Sequence, residues 1–423
     1  MFQINKWLYP GIRLKRWIFL FILSVVVLIV GLSGLFGNIF KNVRIEAINI
    51  DKYIQRLQRL KFADVAFILL GFAGLTLAIR RVYYSILTTI IPNREREFIN
   101  IAHKRAKMKR GPKVVAIGGG TGMPNVLKGM KEYTSNLSAI VTVADDGGSS
   151  GRLRKDYQVL PPGDIRNCMV ALSDEETLLG KLFQYRFQKG KDLAGHNFGN
   201  IFITALSDVV GDFPRAVKES SKVLAIFGEV LPVSLDNIIL KAKLTNGKMI
   251  KGESKITKAG GIIDRVYIEP QNCKPYQPAI DAIRNADIVV IGPGSLYTSV
   301  IPNLLVPGMK EALMNTKTLK IYISNIMTQN GETDNYRVSD HIKAIFKHTG
   351  EKLIDYVIAN NGMPKDDLLK RYAKEKAFLV KIDKEEISKL GVSLIAGKLF
   401  SDGDFIRHDP KILSKMVMKI VFI

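Results

Sequence analysis

The sequence predicts an α/β fold in which a mostly parallel sheet carries a small β insertion and is preceded by two transmembrane helices. Short apolar segments that end in glycine-rich polar loops recur through residues 113–423 and alternate with segments of helical spacing. That alternation is typical of a parallel sheet whose strands are joined by helices. Two long apolar runs lie in residues 1–112, which we take as a separate membrane-anchoring domain.

The first apolar run extends over residues 17–40 without a charged side chain. About 20 apolar residues span a bilayer as a helix, and this run is too long for the core of a signal peptide. The second run, residues 62–79, contains Asp64 as its one charge and is followed by two arginines. We therefore predict transmembrane helices over about residues 17–40 and 62–82, and a basic linker over residues 92–112.

The net charge of +23 raises the question of nucleic acid as a partner. Residues 1–112 carry a net charge of +14, so most of the excess flanks the apolar runs. Basic residues in that position orient membrane segments and meet anionic lipid. Because aromatic and basic residues do not interleave as in single-strand binders, we expect a lipid bilayer and no nucleic acid. The two cysteines, Cys168 and Cys273, form neither a disulfide framework nor a zinc motif.

The first glycine-rich loop, residues 118–122, follows the apolar strand Val114–Ile117 and precedes a helix predicted over Met123–Tyr133. In this strand–loop–helix arrangement the helix N-terminal amides meet a phosphate. The loop lacks the Lys-Ser/Thr of nucleotide-hydrolysing P-loops, and Met123 replaces the third glycine of the dinucleotide fingerprint. The candidate phosphate-binding residues are Gly119, Gly120, Thr121 and Gly122.

Two aspartates, Asp145 and Asp146, end a strand predicted over residues 137–144. In an open parallel sheet, ligands bind outside the carboxyl ends of the strands. An acidic residue there can accept from ribose hydroxyls, hold a hydrated Mg²⁺ or serve as a base, so either aspartate is a candidate metal ligand and, in an enzyme, a catalytic residue. Ser149 adds a donor. The alternative is an Asp-Gly turn, and we expect one aspartate to contact the ligand and the other to cap the loop.

Two further polar loops complete this region. Pro161-Pro162-Gly163-Asp164 opens a helix predicted over Ile165–Leu172, with Asp164 as its N-cap and Asn167 in its first turn. The loop of residues 195–200 precedes a helix predicted over Ile201–Val210. A lone histidine is more often structural than catalytic, but two asparagines beside two glycines favour ligand contact. The candidates are Asn167, His196, Asn197 and Asn200.

The remaining sequence repeats the pattern. Residues 239–268 alternate in polarity around a Thr-Asn-Gly-Lys hairpin signal, which predicts the β insertion. The apolar strand Asp287–Ile291 then enters a second glycine loop with hydroxyl side chains. The candidates there are Gly294, Ser295 and Thr298.

The series GGGTG, ADDGGSSG, PPGDIRN, GHNFGN, GPGSLYTS and Q-x-GETD-x-Y-x-x-SDH resembles the YvcK/CofD family, and more closely its YvcK branch, the gluconeogenesis factors. The motifs occur in order over about residues 113–423, and the N-terminal hairpin lies outside them. The resemblance implies a Rossmann-like sheet with a nucleotide site at its strand ends. YvcK-like members bind UDP-N-acetylglucosamine and support cell-wall (peptidoglycan) synthesis and cell shape during growth on gluconeogenic carbon. CofD-like members transfer a phospholactyl group to a deazaflavin with Mg²⁺.

Matched onto this chain, the resemblance assigns roles to the candidate residues. The loop around Thr121 would hold phosphates, Asp145 or Asp146 would face the metal or acceptor, and Asn167, His196, Asn197 and Asn200 would complete the pocket wall. Gly294 and Ser295 would add a second anion cradle. Arg407 would offer diphosphate a bidentate fork that lysine cannot replace. The alternative for Arg407 is a surface ion pair.

Four functions follow from these observations: a regulatory UDP-sugar-binding protein, a CofD-like 2-phospho-L-lactate transferase, a nicotinamide-dinucleotide-binding oxidoreductase and a pure membrane scaffold. The incomplete glycine fingerprint weighs against the third, and the clustered loops against the fourth. We expect a protein of the cell membrane whose soluble domain faces the cytoplasm, because its ligands are cytosolic. We also expect a homo-oligomer, with cell-wall synthesis enzymes or a serine/threonine kinase as family-level partners.

Overall fold

The computed structural model describes residues 14–42, 50–90, 108–173, 177–401 and 403–421. The chain divides into two compact units, residues 1–104 and 105–423, close to the predicted boundary at 112. Residues 91–107, which include most of the predicted basic linker, lie outside the described residues.

The first unit contains two helices, α1 (Leu14–Asn42) and α2 (Ile50–Ile90). Their segments Arg16–Gly34 and Phe62–Ser85 are long and apolar enough to cross a membrane, judged by length and composition alone. The helices pack through glycines: a Cβ on Gly71 would lie 2.9 Å from Leu28, and one on Gly74 would lie 2.4 Å from the Ser24 hydroxyl. Small residues at such positions allow two helix backbones to approach closely.

The second unit is built on a seven-stranded sheet whose strands all run parallel. Its strands are β1 (Val114–Gly118), β2 (Leu137–Val141), β3 (Glu229–Pro232), β7 (Ile288–Ile291), β8 (Leu319–Ile323), β9 (Tyr356–Asn360) and β10 (Ser393–Gly397). Their spatial order is β10-β9-β8-β7-β1-β2-β3. The central strands are continuous apolar runs because helices cover both faces of a parallel sheet. This architecture confirms the predicted α/β, Rossmann-like fold.

Helices connect these strands. They are α3 (Met123–Met130), α4 (Gly148–Tyr157), α5 (Gly163–Leu172), α6 (Leu178–Gln184), α7 (Phe198–Val210), α8 (Phe213–Val223), α9 (Glu253–Ile256), α10 (Gln277–Arg284), α11 (Ile301–Leu305), α12 (Met309–Asn315), α13 (Val338–Thr349), α14 (Asp366–Lys374), α15 (Lys384–Lys389) and α16 (Pro410–Val421), with a π-helical turn at Leu296–Val300.

The predicted β insertion is present as a separate three-stranded antiparallel sheet. Its strands are β4 (Ile239–Leu244), β5 (Met249–Lys251) and β6 (Ile263–Glu269), in the order β5-β4-β6. The hairpin between β4 and β5 turns at Gly247, whose φ of 84° requires the left-handed conformation that glycine adopts freely. The short helix α9 follows β5.

One local prediction was wrong. Asp164 is not the N-cap of α5: Pro162 holds that position, and Asp164 lies in the first turn of the helix. Its carboxylate instead accepts a hydrogen bond from the backbone N–H of Gly120, in the loop after β1.

Candidate functional site

The two glycine loops meet at the point where the sheet changes its direction of winding. The chain adds β2 and β3 on one side of β1 and then β7 to β10 on the other, so β1 and β7 are neighbours. Ligands of open α/β sheets bind outside the carboxyl ends of the strands at such a switch point. The loops touch here: a Cβ on Gly122 would lie 2.6 Å from the Pro293 carbonyl oxygen, and one on Gly294 would lie 3.1 Å from the Gly119 carbonyl oxygen.

A buried asparagine fixes the two loops against each other. Asn303, in α11, is fully buried, and its Nδ2 donates to the carbonyl oxygens of Gly118 at 3.0 Å and Ser299 at 2.8 Å. The first carbonyl ends β1 and the second lies in the π-helical turn after β7. Since unpaired buried carbonyls are costly, this side chain stabilises the close approach that the glycines permit.

A cleft of about 180 Å³ opens beside these loops. Its lining residues are Thr121, Gly122, Asn125, Pro293, Gly294, Ser295, Asn325, Ile326, Met327, Gln329, Ile406, Arg407 and His408. Helix α3 begins at the cleft, with Gly122 as its N-cap and without a side-chain cap. Pro124 in its first turn has no N–H, and the Asn125 N–H donates to the Gly122 carbonyl oxygen at 3.1 Å, so what the helix offers an anion here is chiefly the positive end of its dipole. Larger cavities lie at the opposite end of the strands, for example beside Lys113 and Val114, away from both glycine loops.

Arg407 brings a positive charge to the cleft. Its side chain is exposed and its guanidinium carbon lies 5.1 Å from the centre of the Phe405 ring. No salt bridge joins Arg407 to a carboxylate in the part of the chain that the structure describes. The predicted alternative of a surface ion pair is therefore not seen among those residues. The planar guanidinium fork has the geometry to bind an anion in the cleft.

A group of carboxylates lies behind the first glycine loop. Asp164 Oδ2 accepts from the Gly120 N–H at 2.7 Å, and a Cβ on Gly119 would lie 2.7 Å from that same oxygen. Burial raises the pKa of the Asp164 carboxyl to about 6, although the Gly120 hydrogen bond opposes the shift. Burial and the neighbouring Asp145 raise the pKa of Glu253, in α9 of the β insertion, to about 9. A side-chain hydrogen bond to Asp145 adds to this rise in the pKa of Glu253.

The structure separates the roles of the two adjacent aspartates. Asp146 Oδ1 accepts from the Ser254 N–H at 2.8 Å and so caps the short helix α9. Asp145 Oδ1 accepts from the Gly147 N–H at 2.8 Å, and the same carboxyl pairs with Glu253. Asp145 is thus the aspartate in the carboxylate group behind the phosphate-type loop, and Asp146 joins the β insertion to the sheet.

The predicted Mg²⁺ would need ligands from these carboxylates. Within the described ranges, no three His, Cys, Asp or Glu side chains are arranged to hold a metal ion. Mg²⁺ is often held by one or two carboxylates together with substrate phosphates, and Asp145 or Asp146 would suffice for that. The residues therefore fit an ion that arrives with a phosphorylated ligand and do not form an all-protein cage.

The predicted residues of the fourth loop form a buried polar network. Ser149 Oγ lies 3.1 Å from His196 Nδ1 and accepts from Asn200 Nδ2 at 3.2 Å. Asn197 Oδ1 accepts from the Asn200 N–H at 3.3 Å and caps α7. The four side chains are at most 8% exposed, and none of them lines the cleft. Their amides and hydroxyls satisfy one another, which positions α4 against α7.

Arg166 extends this network towards the carboxylates. Its Nη1 donates to Asn200 Oδ1 at 2.9 Å, and its Nη2 donates to Asn167 Oδ1. The guanidinium is 9% exposed, and its pKa is lowered to about 10 by burial and by the charge of Arg186. Asn167 thus orients a buried arginine.

A model of one protein family, described as 2-phospho-L-lactate transferase CofD, matches residues 114–400. The chain belongs to the CofD family. A gluconeogenesis factor homologue of Clostridium acetobutylicum is 44% identical over 421 residues, which are 98% of this chain and 91% of the relative. The gluconeogenesis factor of Bacillus subtilis is 44% identical over 315 residues, 74% of this chain and 99% of the relative.

Solved structures of this family show the same fold. A crystal structure of a UPF0052-family protein from Bacillus halodurans aligns with a TM-score of 0.71 at 46% identity, covering 73% of this chain and 99% of that chain. The Clostridium relative also aligns with the N-terminal unit, since it covers almost the whole chain. The CofD-family domain is thus shared more widely among these relatives than the segment before it.

Within this CofD-family domain, the structure groups the predicted site residues in three places. Thr121, Gly122, Gly294, Ser295 and Arg407 line the cleft, and Gly119, Gly120, Asp145 and Asp146 lie at or behind its first loop. Ser149, Asn167, His196, Asn197 and Asn200 form the polar network. Thr298 stands apart: it is 2% exposed and its hydroxyl donates to Glu332 Oε1 at 3.2 Å.

Several residues of the site were missed by sequence reasoning. Asp164 lies in a recognised motif, but it was interpreted as a helix cap. Glu253 and Asn303 had no local signal. Gln329, whose Nε2 donates to Ser295 Oγ at 2.8 Å, lies in a polar loop rich in such side chains, and that pattern could have indicated it.

Proposed function

We propose that this CofD-family protein binds UDP-N-acetylglucosamine at the cleft and acts as a regulator that supports cell-wall synthesis and cell shape. One observation carries the proposal: two glycine loops and the exposed guanidinium of Arg407 converge at the switch point of the sheet. The similarity to gluconeogenesis factors supports it.

The chemistry of the cleft suits a diphosphate. The glycine loops bring the backbone to the cleft without obstructing side chains, and α3 begins there without a side-chain cap. Such a helix N-terminus favours negative charge, and an arginine fork binds phosphate oxygens in pairs. The volume of the cleft, about 180 Å³, suits a group of the size of a diphosphate. The uridine and the sugar would therefore extend from the cleft along the neighbouring loops.

Calorimetry on the full-length protein in detergent micelles tests this proposal. Wild-type protein is expected to bind UDP-N-acetylglucosamine below millimolar concentration. Arg407→Glu should weaken binding by roughly a hundredfold, because it removes a charge-assisted contact and adds a repulsive charge. The matched control is Arg215→Glu, an exposed arginine on α8 away from the cleft, and its affinity should match wild type. No measurable binding at millimolar ligand, or equal affinity in Arg407→Glu, would refute the proposal.

The second candidate is phosphorus-group transfer to a deazaflavin with Mg²⁺. The carboxylates of Asp145 and Asp164 behind the glycine loop favour it, as does the family model. Phosphoryl-type transfer needs a metal, aligned phosphates and an oriented acceptor, and these carboxylates fit the first need. Incubating the full-length protein with a deazaflavin, a nucleotide-activated donor and Mg²⁺ decides between the candidates. Absence of a phosphorylated product, or a product that Asp145→Asn does not reduce, counts against transfer.

We also propose that α1 and α2 anchor the protein in the cell membrane with the CofD-family domain in the cytoplasm. The length and apolar character of Arg16–Gly34 and Phe62–Ser85 support the anchor. Recovery of the full-length protein in the soluble fraction after cell lysis would contradict it. We also propose that the protein associates with itself, and with wall-synthesis enzymes or a serine/threonine kinase. Light scattering in micelles tests self-association, and a monomer would contradict it. Co-purification tests the other partners, and their absence would contradict them.

A further inference from the structure

Three arginines and a histidine lie together at the turn that leads into α7, away from the cleft. We call them the arginine cluster: Arg152 in α4, Arg166 in α5, Arg186 just after α6, and His196. None of them lines the cleft at the glycine loops. The sequence motif around His196 predicted ligand contact, but the nucleotide-sugar proposal above leaves these positive charges unused.

Hydrogen bonds hold two of the guanidinium groups on consecutive carbonyl oxygens of one turn. Arg152 Nη2 donates to the Ala194 carbonyl oxygen at 3.0 Å, and Arg186 Nη1 donates to the carbonyl oxygen of the next residue, Gly195, at 2.7 Å. Gly195 has a φ of 79°, and a Cβ at this position would lie 3.1 Å from Arg152 Nη2. Glycine therefore allows the turn to receive both arginines, which come from different helical segments.

The third guanidinium, that of Arg166, is buried and incompletely satisfied, and the charge of Arg186 acts on it. Arg166 is 9% exposed and uses its two terminal nitrogens to hold Asn200 and Asn167. Its buried Nε has no hydrogen-bond partner in the described part of the chain. A buried donor without an acceptor is costly, so a ligand oxygen at this point would relieve a cost that the unliganded protein bears.

The arginines of the cluster interact with nearby carboxylates without forming ion pairs. Burial lowers the pKa of His196, and the charges of Arg152 and Arg186 add to that shift, while the charge of Arg186 helps to lower the pKa of Arg166. Asp156 acts on His196, and Asp164 and Asp145 act on Arg166, in the opposite direction. However, among the residues described, no salt bridge within 4 Å joins any of the three arginines to a carboxylate.

We propose that the arginine cluster is a second anion site, which binds a phosphoryl dianion through Arg152, Arg166 and Arg186. Arginine forks match the paired oxygens of a phosphoryl group, and a dianion offsets the mutual repulsion of clustered cations. Inorganic phosphate and the phosphate of a small phosphorylated metabolite share this chemistry. The site goes beyond the proposed function, because it is built from residues outside the nucleotide-sugar cleft.

The test is titration calorimetry of the full-length protein in micelles with potassium phosphate, against potassium chloride at equal ionic strength. The variants are Arg186→Ala, Arg186→Lys, Arg407→Glu and the exposed control Arg215→Ala. We expect Arg186→Ala to weaken phosphate binding by about tenfold or more, since one charge-assisted contact is lost. Arg186→Lys should restore part of the affinity, because the charge returns without the fork. A parallel titration with a hexose 6-phosphate distinguishes free phosphate from a phosphorylated metabolite: the ligand with the lower Kd is the one that the site prefers.

Arg407→Glu separates this site from the cleft. Phosphate binding that persists in Arg407→Glu and Arg215→Ala but fails in Arg186→Ala supports the arginine cluster, whatever the outcome with UDP-N-acetylglucosamine. Phosphate binding that Arg407→Glu abolishes, or that Arg186→Ala leaves unchanged, places phosphate elsewhere and overturns the inference. No heat from either phosphate ligand overturns it as well. Circular dichroism confirms that each variant is folded before titration.

Discussion

Replacing Asp164 with asparagine should stabilise the protein at alkaline pH and should lose that effect in acid. Asp164 accepts the Gly120 N–H at 2.7 Å, and the Oδ1 of an asparagine can accept the same bond. Burial raises the pKa of this carboxyl from 3.8 to about 6. Since the folded-state pKa lies above the ordinary value, the carboxyl contributes its full stability below pH 3.8 and loses it as the pH rises through about 6.

The magnitude follows from the shift. About two pKa units correspond to about 3 kcal/mol of differential stability. The substituted asparagine carries no charge to bury, so Asp164→Asn should exceed wild type by up to about 3 kcal/mol in free energy of unfolding at pH 8. For a domain of this size, 1 kcal/mol moves the melting temperature by roughly 2 °C, so the expected gain is about 6 °C.

Thermal unfolding of the full-length protein in micelles, followed by far-ultraviolet circular dichroism at pH 5 and pH 8, measures the effect. The control is Asp208→Asn, the same substitution at an exposed aspartate on α7, measured at the same two pH values. A stability gain in Asp164→Asn that is equal at the two pH values, or larger at pH 5, would refute the reasoning. It would mean that the charged form of Asp164 is not the source of the cost.

Two further predictions concern the glycine loops. Gly119→Ala should weaken UDP-N-acetylglucosamine binding by about tenfold or more, because its Cβ would lie 2.7 Å from both Asp164 Oδ2 and Thr142 Cγ2 and the loop must shift. Calorimetry measures the affinity beside the control Gly403→Ala, whose Cβ would meet nothing within 4 Å. Equal affinities of the two variants would contradict the prediction. Asn303→Ala should lower the free energy of unfolding by about 2–4 kcal/mol, because two buried carbonyls lose their donor. Thermal unfolding beside the exposed Asn330→Ala measures it, and similar melting temperatures for the two variants would argue against that role for Asn303.

The fold was predictable because its signals are local. Each central strand is a short apolar run that enters a glycine loop, and Asn246-Gly247 predicts the hairpin of the β insertion. The rule that ligands gather at strand carboxyl ends then indicated which loops to consider. Thr121 and Ser295 were predicted in this way as ligand contacts, and both line the cleft.

Other parts of the site depend on contacts between distant segments. Glu253 reaches Asp145 because Asp146 caps α9. Neither segment has a sequence pattern that indicates this contact. Asp164 precedes a helical segment as an N-cap would, yet the Gly120 N–H is its partner in the fold. The loop around His196 posed a different difficulty: asparagines that bind a ligand and asparagines that bind one another have the same sequence pattern.

The strand order has a consequence for when the protein can first function. The cleft joins Thr121, from the first connection of the sheet, to Arg407, from the segment just before the last helix. Strand β7, which carries the second glycine loop, must insert beside β1 between elements that are far apart in the chain. A nascent or truncated chain that lacks its final segment would have the first loop but not the guanidinium opposite it. Ligand binding at the cleft would therefore require that the whole domain has been synthesised and folded.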